Sequence, residues 1–541
     1  MVRTNERLVR GLTVCIFLAV LVLSLLLLAR AFFGPLDFPV RMHSPRNVQD
    51  WIAFGVLLLI AWRAQLEPAP KSRYFQRFPQ AILPATIVFG TTLLLFSPWL
   101  STGFLSDDFI HIELAVSAKS LENFLATGDG FFRPIGYLSL AITATVAGKD
   151  PVLWHLFAIL LHGINSLVLF VFLYELCGRR QVAVLGALLF ALHGSRPESV
   201  IWIAGRFDLI ATTFVLVTLW TFIRWEKRNR RSSYLLALFT CLLALLSKEV
   251  AYVTPALLLL LSIYRSHSVT EAFKSTFPFW FLTGVLFVFR YWWIGGIGGY
   301  LDPATSQPEI FAVRLVDVAR ILVLRVWAVM IFPLNWSSDT HWLVALILLF
   351  YLAAWIILML KIRLEKRIYW ISAAFVLISS LPAVQLLLIG SDLRGARLLY
   401  LPSVGFALLF AALLQGQGLS RGMKRLIAVT VLVFNFAALT HNARIWKDVS
   451  ELAERTCRQA ALIIERQGSR AILIRDLPGT IDGVFLFRNG FAECVSRYLE
   501  SEKMPAIKTL PPGSDYMTTL PDDADQLIWN GKELFFLPGS E

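Results

Sequence analysis

Long apolar runs alternate with short polar segments along most of this chain. The first run, residues 12–33, is longer than a signal-peptide core and no small-residue cleavage site follows it, so it predicts a retained membrane helix. Further apolar runs of roughly 15 to 25 residues, each bounded by charge, Pro or Gly, predict further membrane helices. These runs begin near residues 50, 81, 152, 182, 207, 233, 250, 277, 342, 368, 402 and 426. We therefore predict an all-α polytopic membrane protein with about 13 transmembrane helices.

The direction of the crossings follows from the basic loops. Lys and Arg are concentrated at 63–77, 224–231, 361–367 and 421–425. Such loops are retained in the cytoplasm, and a cytoplasmic N-terminus then places the loop with Asp107 and Asp108 on the outer side. Segment 318–334 would reverse this order if it crossed, so we interpret it as a half-buried or interfacial helix that carries Arg320 and Arg325.

Composition agrees with the membrane class and divides the chain. Hydrophobic residues make up 57% of the sequence, charged residues make up only 16%, and the net charge is +13. Residues 450–541 hold 10 Lys and Arg against 14 Asp and Glu, so the positive charge belongs to the membrane part. Cytoplasmic loops and anionic lipids account for such charge, and we expect membrane lipids, not nucleic acid, as partners.

The last part of the chain predicts a soluble unit on the outer side. No apolar run of spanning length follows about residue 441. "AILIRDLP" predicts a buried strand and "GFAECVSRYLES" a short helix, which together predict a small α/β domain. Cys457 and Cys494 are its only cysteines, and a disulfide and two free thiols are both open alternatives there. We divide the chain into a two-helix extension (1–80), a membrane domain (81–440) and this C-terminal domain (441–541).

Polar and ionisable residues gather at the predicted outer ends of the helices. Such residues are costly near the hydrocarbon boundary unless they face a cavity, a partner or a ligand, so their number predicts a cavity. The cluster comprises Asp107, Asp108, His111, Arg133, His193, Arg196, Glu198, Arg206, Asp208, Lys248, Glu249, Arg394, Arg397 and Tyr400.

The adjacent acids Asp107 and Asp108 have two interpretations. They can cap a helix that starts at Phe109, or one carboxylate can raise the proton affinity of the other and act as a base or metal ligand. His111 lies one helical turn after Asp107, so these three residues are the candidates for a divalent metal, if one binds. The Arg and Lys residues are likewise either interfacial anchors or an anion-binding cluster.

The ordered motifs carry a family resemblance. "SDDF", "FRP", "ALHGSRPESVIWIAGRFD", "LSKE" and "RLLYLPSVGF" follow one another between about residues 80 and 440. This succession resembles the membrane part of the transmembrane and tetratricopeptide-repeat O-mannosyltransferases and their bacterial relatives, which are C-type (GT-C) glycosyltransferases. The resemblance implies an inverting, polytopic enzyme that takes a sugar from a polyprenyl-phosphate carrier at the outer membrane face, with the family's acidic pair at Asp107 and Asp108.

The chain also departs from the family pattern. Gly194 follows His193 where the family usually has Pro, and Ala396 replaces an acid before Arg397. Two additional helices precede the matching region, and a different C-terminal unit stands in place of the repeat domain. The acceptor, a protein or a glycan, therefore does not carry over from the resemblance.

We predict a polyprenyl-phosphate-sugar-dependent glycosyltransferase in the inner (cytoplasmic) membrane, with its active site on the periplasmic side. Asp107 and Asp108 are the predicted catalytic residues. The predicted substrate-binding residues are His111, Arg133, His193, Glu198, Arg206, Asp208, Lys248, Glu249, Arg394, Arg397 and Tyr400. A lipid-linked glycan polymerase or ligase and a lipid or sugar transporter are the alternatives; a transporter more often shows repeats and broken helices at mid-membrane.

Overall fold

The computed structural model describes residues 2–36, 44–64, 82–117, 130–265, 268–299, 314–361, 366–469, 471–500, 505–512 and 525–537. Helices of the first half are α1 (Val2–Phe33), α2 (Arg46–Ala64), α3 (Ile82–Phe96), α4 (Asp107–Ser117), α5 (Pro134–Ala147), α6 (Pro151–Cys177), α7 (Arg180–Leu192), α8 (Pro197–Val200), α9 (Arg206–Arg228) and α10 (Arg231–Leu245). Those of the second half are α11 (Thr254–Tyr264), α12 (Val269–Ile294), α13 (Leu315–Arg320), α14 (Val326–Ile331), α15 (Trp342–Lys361), α16 (Lys366–Ser380), α17 (Ser403–Gln415), α18 (Arg421–Gln467) and α19 (Phe491–Ser496).

The helical architecture is that of a multi-pass membrane protein. Among the described residues, eight helices are long and apolar enough to cross a membrane. These spans are Gly11–Phe33, Ile82–Trp99, Pro151–Cys177, Ile203–Arg228, Val269–Ile294, Trp342–Lys361, Lys366–Val384 and Arg421–Gln467. Shorter apolar helices occur at Pro134–Ala147, Arg180–Leu192, Arg231–Leu245, Glu249–Tyr264 and Ser403–Gln415. The polytopic fold is as predicted, whereas the count of 13 crossings stays a prediction.

Two helical regions differ from the sequence pattern. Helix α5 was not predicted at all; Pro134 occupies its first turn, where a missing backbone N–H costs nothing. The run near residue 250 is divided, because a 3₁₀ turn at Glu249–Val253 precedes α11. This irregular backbone holds the Lys248–Glu249 pair at the end of the bundle where Arg133 also lies.

Segment 318–334 consists of α13, a π-helical turn at Ile321–Arg325 and α14. Arg325 is 1% exposed and forms an ion pair with Asp50 of α2 at 2.9 Å. It also donates to the carbonyl oxygens of Ile389 and Gly390. Arg325 is therefore buried within the protein, while the half-buried or interfacial position of the segment in the membrane stays a prediction.

The N-terminal extension shares a core with the rest of the membrane part. Helices α1 and α2 pack against each other, and α2 also packs against α14. Val20 and Ile52 belong to the same buried cluster as Trp355 of α15. Burying these apolar side chains together stabilises the extension on the second half of the bundle.

The C-terminal unit is an α/β structure, as predicted. Helix α18 is 47 residues long, about 70 Å at 1.5 Å per residue, and it continues from the membrane part into this unit without a break. The sheet strands are β1 (Ala471–Arg475), β4 (Ala506–Leu510), β5 (Asp525–Trp529) and β6 (Leu534–Leu537). Their order is β4-β1-β5-β6, with β1 parallel to both neighbours and β6 antiparallel to β5.

A hairpin and a disulfide complete the C-terminal unit. Strands β2 (Thr480–Ile481) and β3 (Val484–Phe485) pair antiparallel. Of the two cysteine alternatives, the structure has the disulfide: Cys457 of α18 and Cys494 of α19 are joined, with an S–S distance of 2.08 Å. The bond fastens the segment after the hairpin to the long helix.

Candidate active site

The two acids of the opening loop have different environments. Helix α4 begins at Asp107, directly after Ser106, whose φ of 47° turns the chain sharply. Asp108 is 1% exposed, and its two carboxylate oxygens accept backbone N–H groups of Leu105 at 3.2 Å and Ala204 at 2.9 Å. Burial raises the pKa of Asp108 well above its usual value. Asp108 therefore acts as a helix cap that also fastens the turn containing Ala204.

Asp107 is partly exposed and faces a cavity. Its Oδ1 accepts a hydrogen bond from Nδ2 of Asn489 at 2.8 Å and lies 3.4 Å from Oγ of Ser106. Its Oδ2 makes no hydrogen bond within the described part of the chain. Of the two acids, Asp107 is thus the one that has an oxygen available to a ligand.

The C-terminal unit reaches the acidic turn through residues 486–490. The backbone N–H of Ser106 donates to the carbonyl of Leu486 at 3.2 Å, and the N–H of Asn489 donates to Oγ of Ser106 at 3.3 Å. A Cβ added to Gly490 would lie 2.4 Å from the carbonyl oxygen of Ser106, so this close approach requires glycine. The segment that follows the hairpin therefore contacts the acidic turn directly.

The cavity that Asp107 faces has a volume of about 400 Å³. Its polar lining is Asp107, His111, Arg133, Trp202, Lys248, Glu249, Tyr252, Arg290 and Arg397. Its apolar lining includes Phe131, Phe207, Val250, Phe287, Pro382, Leu386 and Leu398. Four cations and two acids therefore line one cavity with an apolar wall.

Two of the four cations share one acid. Arg133 contacts Glu249 through both Nε and Nη2, the latter at 2.7 Å, and Nη2 of Arg290 lies 3.5 Å from the same carboxylate. Arg290 also donates to the carbonyl of Ile297 at 2.7 Å. Glu249 raises the pKa of Arg133, against the effect of burial, so the guanidinium stays charged.

The other two cations are held by acids behind the cavity wall. Nζ of Lys248 lies 2.6 Å from Oδ2 of Asp208, and Nε of Arg397 lies 3.9 Å from the same oxygen. Arg397 also forms an ion pair with Glu198, whose carboxylate accepts the backbone N–H groups of Gly395 and Arg397 at 3.1 and 3.0 Å. Burial lowers the pKa of Lys248 to about 8 and raises the pKa of Glu198.

Other predicted site residues do not line this cavity. Arg206 is 1% exposed and donates to Thr143 and to the carbonyl of Trp154. His193 is hydrogen-bonded to Ser195 and to the carbonyl of Met330. These contacts tie helix ends together: both ring nitrogens of His193 and the two terminal guanidinium nitrogens of Arg206 are hydrogen-bonded to protein groups.

Tyr400 and Arg394 lie on opposite sides of the loop that carries Arg397. The Tyr400 hydroxyl is buried and hydrogen-bonded to His162 at 2.7 Å and to Asn165 at 3.2 Å. Arg394 is exposed and lines a second cavity of about 420 Å³. Tyr400 fixes the loop to the bundle, whereas Arg394 faces outward.

The second cavity lies between this loop and the β2–β3 hairpin. Its lining residues are Leu386, Arg394, Gly395, Arg397, Leu398, Gly479, Thr480, Phe485 and Arg488. Leu386, Arg397 and Leu398 also line the first cavity. The two cavities therefore meet at Arg397.

The structure does not assemble the proposed metal ligands. Within the described ranges, no group of three or more His, Cys, Asp or Glu side chains is arranged to hold a metal ion. The Asp108 carboxylate is turned toward backbone amides, and the ring of His111 packs near Tyr137 and Phe207, with centroids 6.1 and 5.6 Å apart.

Sequence reasoning missed four polar residues: Trp202, Tyr252 and Arg290, which line the cavity, and Asn489, which contacts Asp107. Arg290 gave a usable signal, since it is a lone cation in the apolar run "LFVFRYWW". Asn489 gave none, because a single Asn after a strand is ordinary turn chemistry. Its role depends on the docking of two segments that are 382 residues apart.

Comparisons with known proteins identify distant relatives, although no family model matches the chain. Protein O-mannosyl-transferase TMTC4 from Homo sapiens is 27% identical over 371 residues, covering 57% of this chain and 50% of the relative. Protein O-mannosyl-transferase F38B6.6 from Caenorhabditis elegans is 22% identical over 329 residues, covering 58% of this chain and 47% of the relative. Protein O-mannosyl-transferase Tmtc1 from Drosophila melanogaster is 29% identical over 122 residues, covering 23% and 14%.

The chain spans half or less of the length of each of these relatives. Among solved structures, arabinosyltransferase EmbB from Mycobacterium smegmatis matches 78% of this chain and 47% of its own, with 15% identity and a TM-score of 0.32. Over more than half of its length, this chain thus resembles the transmembrane and tetratricopeptide-repeat O-mannosyltransferases, as its ordered motifs predicted.

Proposed function

We propose that this chain is an inverting GT-C glycosyltransferase that transfers a sugar from a polyprenyl-phosphate carrier to an acceptor hydroxyl. The observation that carries the proposal is a single cavity in which Asp107 faces the cations Arg133, Lys248, Arg290 and Arg397. Cations bind and stabilise a phosphate, and a carboxylate can accept the acceptor's proton. The names of the three curated relatives, all O-mannosyl-transferases, support the same reaction class.

The reaction needs one proton transfer and one bond exchange. The acceptor hydroxyl gives its proton to Oδ2 of Asp107 while its oxygen forms a bond to the anomeric carbon of the sugar. The bond from that carbon to the phosphate oxygen breaks, and its electron pair stays on the leaving polyprenyl phosphate. Attack on the side opposite the phosphate inverts the anomeric centre. Asn489 and Ser106 hold Oδ1, which leaves Oδ2 directed to the acceptor.

The ion pairs arrange the cations before the donor binds. Asp208 holds Lys248, Glu198 holds Arg397, and Glu249 holds both Arg133 and Arg290. Donors that are already in position stabilise the charge growing on the leaving phosphate without reorganising during the reaction. In this proposal Glu198, Asp208 and Glu249 are positioning residues, and so is the cap Asp108.

The two cavities provide separate places for the donor lipid and for the acceptor. Phe131, Phe207 and Phe287 give the cavity a wall that suits a polyprenyl chain. The second cavity opens beside Arg397 and is bounded by the C-terminal unit, so we assign the acceptor, protein or glycan, to that side. We assign no step to a metal ion.

We place the cavity and the C-terminal unit on the periplasmic side of the inner membrane. The Lys- and Arg-rich loops favour this orientation. The Cys457–Cys494 disulfide supports it, because disulfides persist in oxidising compartments. The boundaries at residues 80 and 440 are retained as the proposed domain limits.

The decisive experiment is sugar transfer by purified Asp107→Asn protein. Asn keeps the shape of the side chain but removes the basic oxygen, and loss of a general base costs about 10²- to 10⁴-fold in rate. Asp448→Asn, on the exposed face of α18, is the matched control. Transfer from a polyprenyl-phosphate sugar at the wild-type rate by the Asp107 variant, normalised to folded protein, would remove the proposal.

A further inference from the structure

A large cavity lies at the opposite end of the bundle from the candidate active site. It has a volume of about 1050 Å³ and is formed by α3, α7, α17 and α18. Helix α7 runs from Arg180 at this cavity to Leu192 near the site, and α17 runs from Ser403 near the site to Gln415 at this cavity. Thirteen helical residues span about 20 Å, so the two cavities lie at opposite ends of the helix bundle.

We call this cavity of about 1050 Å³ the basic groove, because its rim is cationic. Its cations are Arg180, Arg421, Lys424 and Arg425. No Asp or Glu lies among its described lining residues, and none of the four cations forms an ion pair with another described residue. The cations of the active-site cavity are held by acids, whereas those of the basic groove lack such partners in the described part of the chain.

The groove also has an apolar wall that is open to the surroundings. Leu83 and Ile87 of α3 line it, and they are 70% and 50% exposed. Val184, Leu185 and Leu414 extend this wall inward. In a membrane helix, such exposed apolar side chains contact acyl chains.

We propose that the basic groove binds an anionic glycerophospholipid from the leaflet opposite the active site. The phosphate of the headgroup would meet the Arg and Lys side chains, while an acyl chain would lie along Leu83 and Ile87. A soluble anion would use the cations but not the apolar wall, and a zwitterionic lipid would bring an ammonium group to a rim that is already positive. Basic pockets between membrane helices bind anionic headgroups in this way. The proposal is independent of the glycosyltransferase reaction.

The test is native mass spectrometry of the full-length protein in detergent, titrated with defined lipids. The lipids are phosphatidylglycerol and phosphatidylcholine with identical acyl chains, and further arms contain inorganic phosphate or polyprenyl phosphate. The variant Arg421→Gln/Lys424→Gln/Arg425→Gln removes three rim charges. Arg230→Gln/Arg231→Gln is the control, because it removes exposed cations at the same end of the bundle but outside the groove. These two residues follow α9, and the last turn of α9 forms ion pairs with Glu175, which lies close in sequence to Arg180.

We expect phosphatidylglycerol to bind more tightly than phosphatidylcholine in the wild type and in the control. One Lys or Arg near an anionic lipid contributes about fivefold in Kd, so the triple variant should lose most of this preference. Equal affinity for the two lipids, or an undiminished preference in the triple variant, would overturn the proposal. If inorganic phosphate displaces phosphatidylglycerol, the groove is a soluble-anion site. If polyprenyl phosphate binds in preference to phosphatidylglycerol, the groove is a carrier site. Either result would also overturn the proposal.

Discussion

We expect binding of the proposed polyprenyl-phosphate donor to depend on pH through Lys248, and the size of this effect can be calculated from the structure. Its ammonium group lies in the cavity wall, 2.6 Å from Asp208, and burial lowers its pKa to about 8 despite this partner. Arg133 and Arg397 lower the pKa further because they are like charges. Only the protonated form attracts a phosphate, so donor affinity should be highest below pH 8 and should fall as the pH rises above it.

The size of the effect follows from the protonated fraction. With a pKa of about 8, Lys248 is about 90% protonated at pH 7 and about 9% protonated at pH 9, and the apparent Kd scales inversely with this fraction. Donor Kd should therefore rise about tenfold over this range if the neutral form contributes no binding. A sugar linked through a phosphodiester keeps one negative charge throughout, so the donor itself does not titrate.

The assay is equilibrium binding of a non-transferable polyprenyl-phosphate sugar analogue at pH 7, 8 and 9. Lys248→Arg keeps the positive charge over the whole range, because a guanidinium stays protonated far above pH 9, and its donor Kd should not show the rise. Lys248→Gln should bind weakly at each pH. A flat wild-type profile, or an equal rise in the Arg variant, would mean that Lys248 does not contact the phosphate.

Substitutions at two further residues, Asn489 and Asp108, separate positioning from capping at the acidic turn. Asn489→Ala should lower kcat about tenfold and leave donor Kd unchanged, because the substitution deletes a partly exposed hydrogen bond to the charged Asp107. Asn489→Asp should lower kcat more, because it places a second negative charge beside Asp107. Equal kcat in the two variants would contradict this role of Asn489. Asp108→Ala leaves the buried N–H groups of Leu105 and Ala204 without an acceptor, which should lower the free energy of unfolding by about 1 to 3 kcal/mol per group. Denaturation of the purified protein measures this loss. An unchanged denaturation midpoint would contradict the capping role.

The sequence predicted what depends on local pattern. Apolar run length predicted the membrane class, and the strand at Ala471–Arg475 and the helix at Phe491–Ser496 were predicted from their own residues. Clustering of ionisable residues at helix ends predicted that a cavity exists, because uncompensated charge there is costly. Arg133, Lys248, Glu249 and Arg397 do line one cavity.

What the sequence could not predict depends on tertiary contacts. Asp107 and Asp108 are adjacent and chemically identical, and only the position of Ala204 makes Asp108 the buried cap. Arg206 and Lys248 are both cations at helix ends, yet Thr143 and Trp154 hold the first away from the cavity that the second lines. A residue type sets which bonds are available, while the packing of distant segments decides which of them form.

The C-terminal unit is likewise connected to the candidate site only through tertiary contacts. Its sequence has no resemblance to a repeat domain, yet its residues 486–490 contact Ser106 and Asp107, and its hairpin bounds the second cavity beside Arg397. Gly490 packs directly against the carbonyl of Ser106, where any side chain would collide. A C-terminal unit without a role at the site would not require this close contact. Because the same segment contacts the proposed base and is fastened to α18 by the Cys457–Cys494 bond, movement of the hairpin would also move the hydrogen-bond partner of Asp107. The proposed acceptor cavity and the proposed catalytic carboxylate are therefore linked through one short segment of the chain.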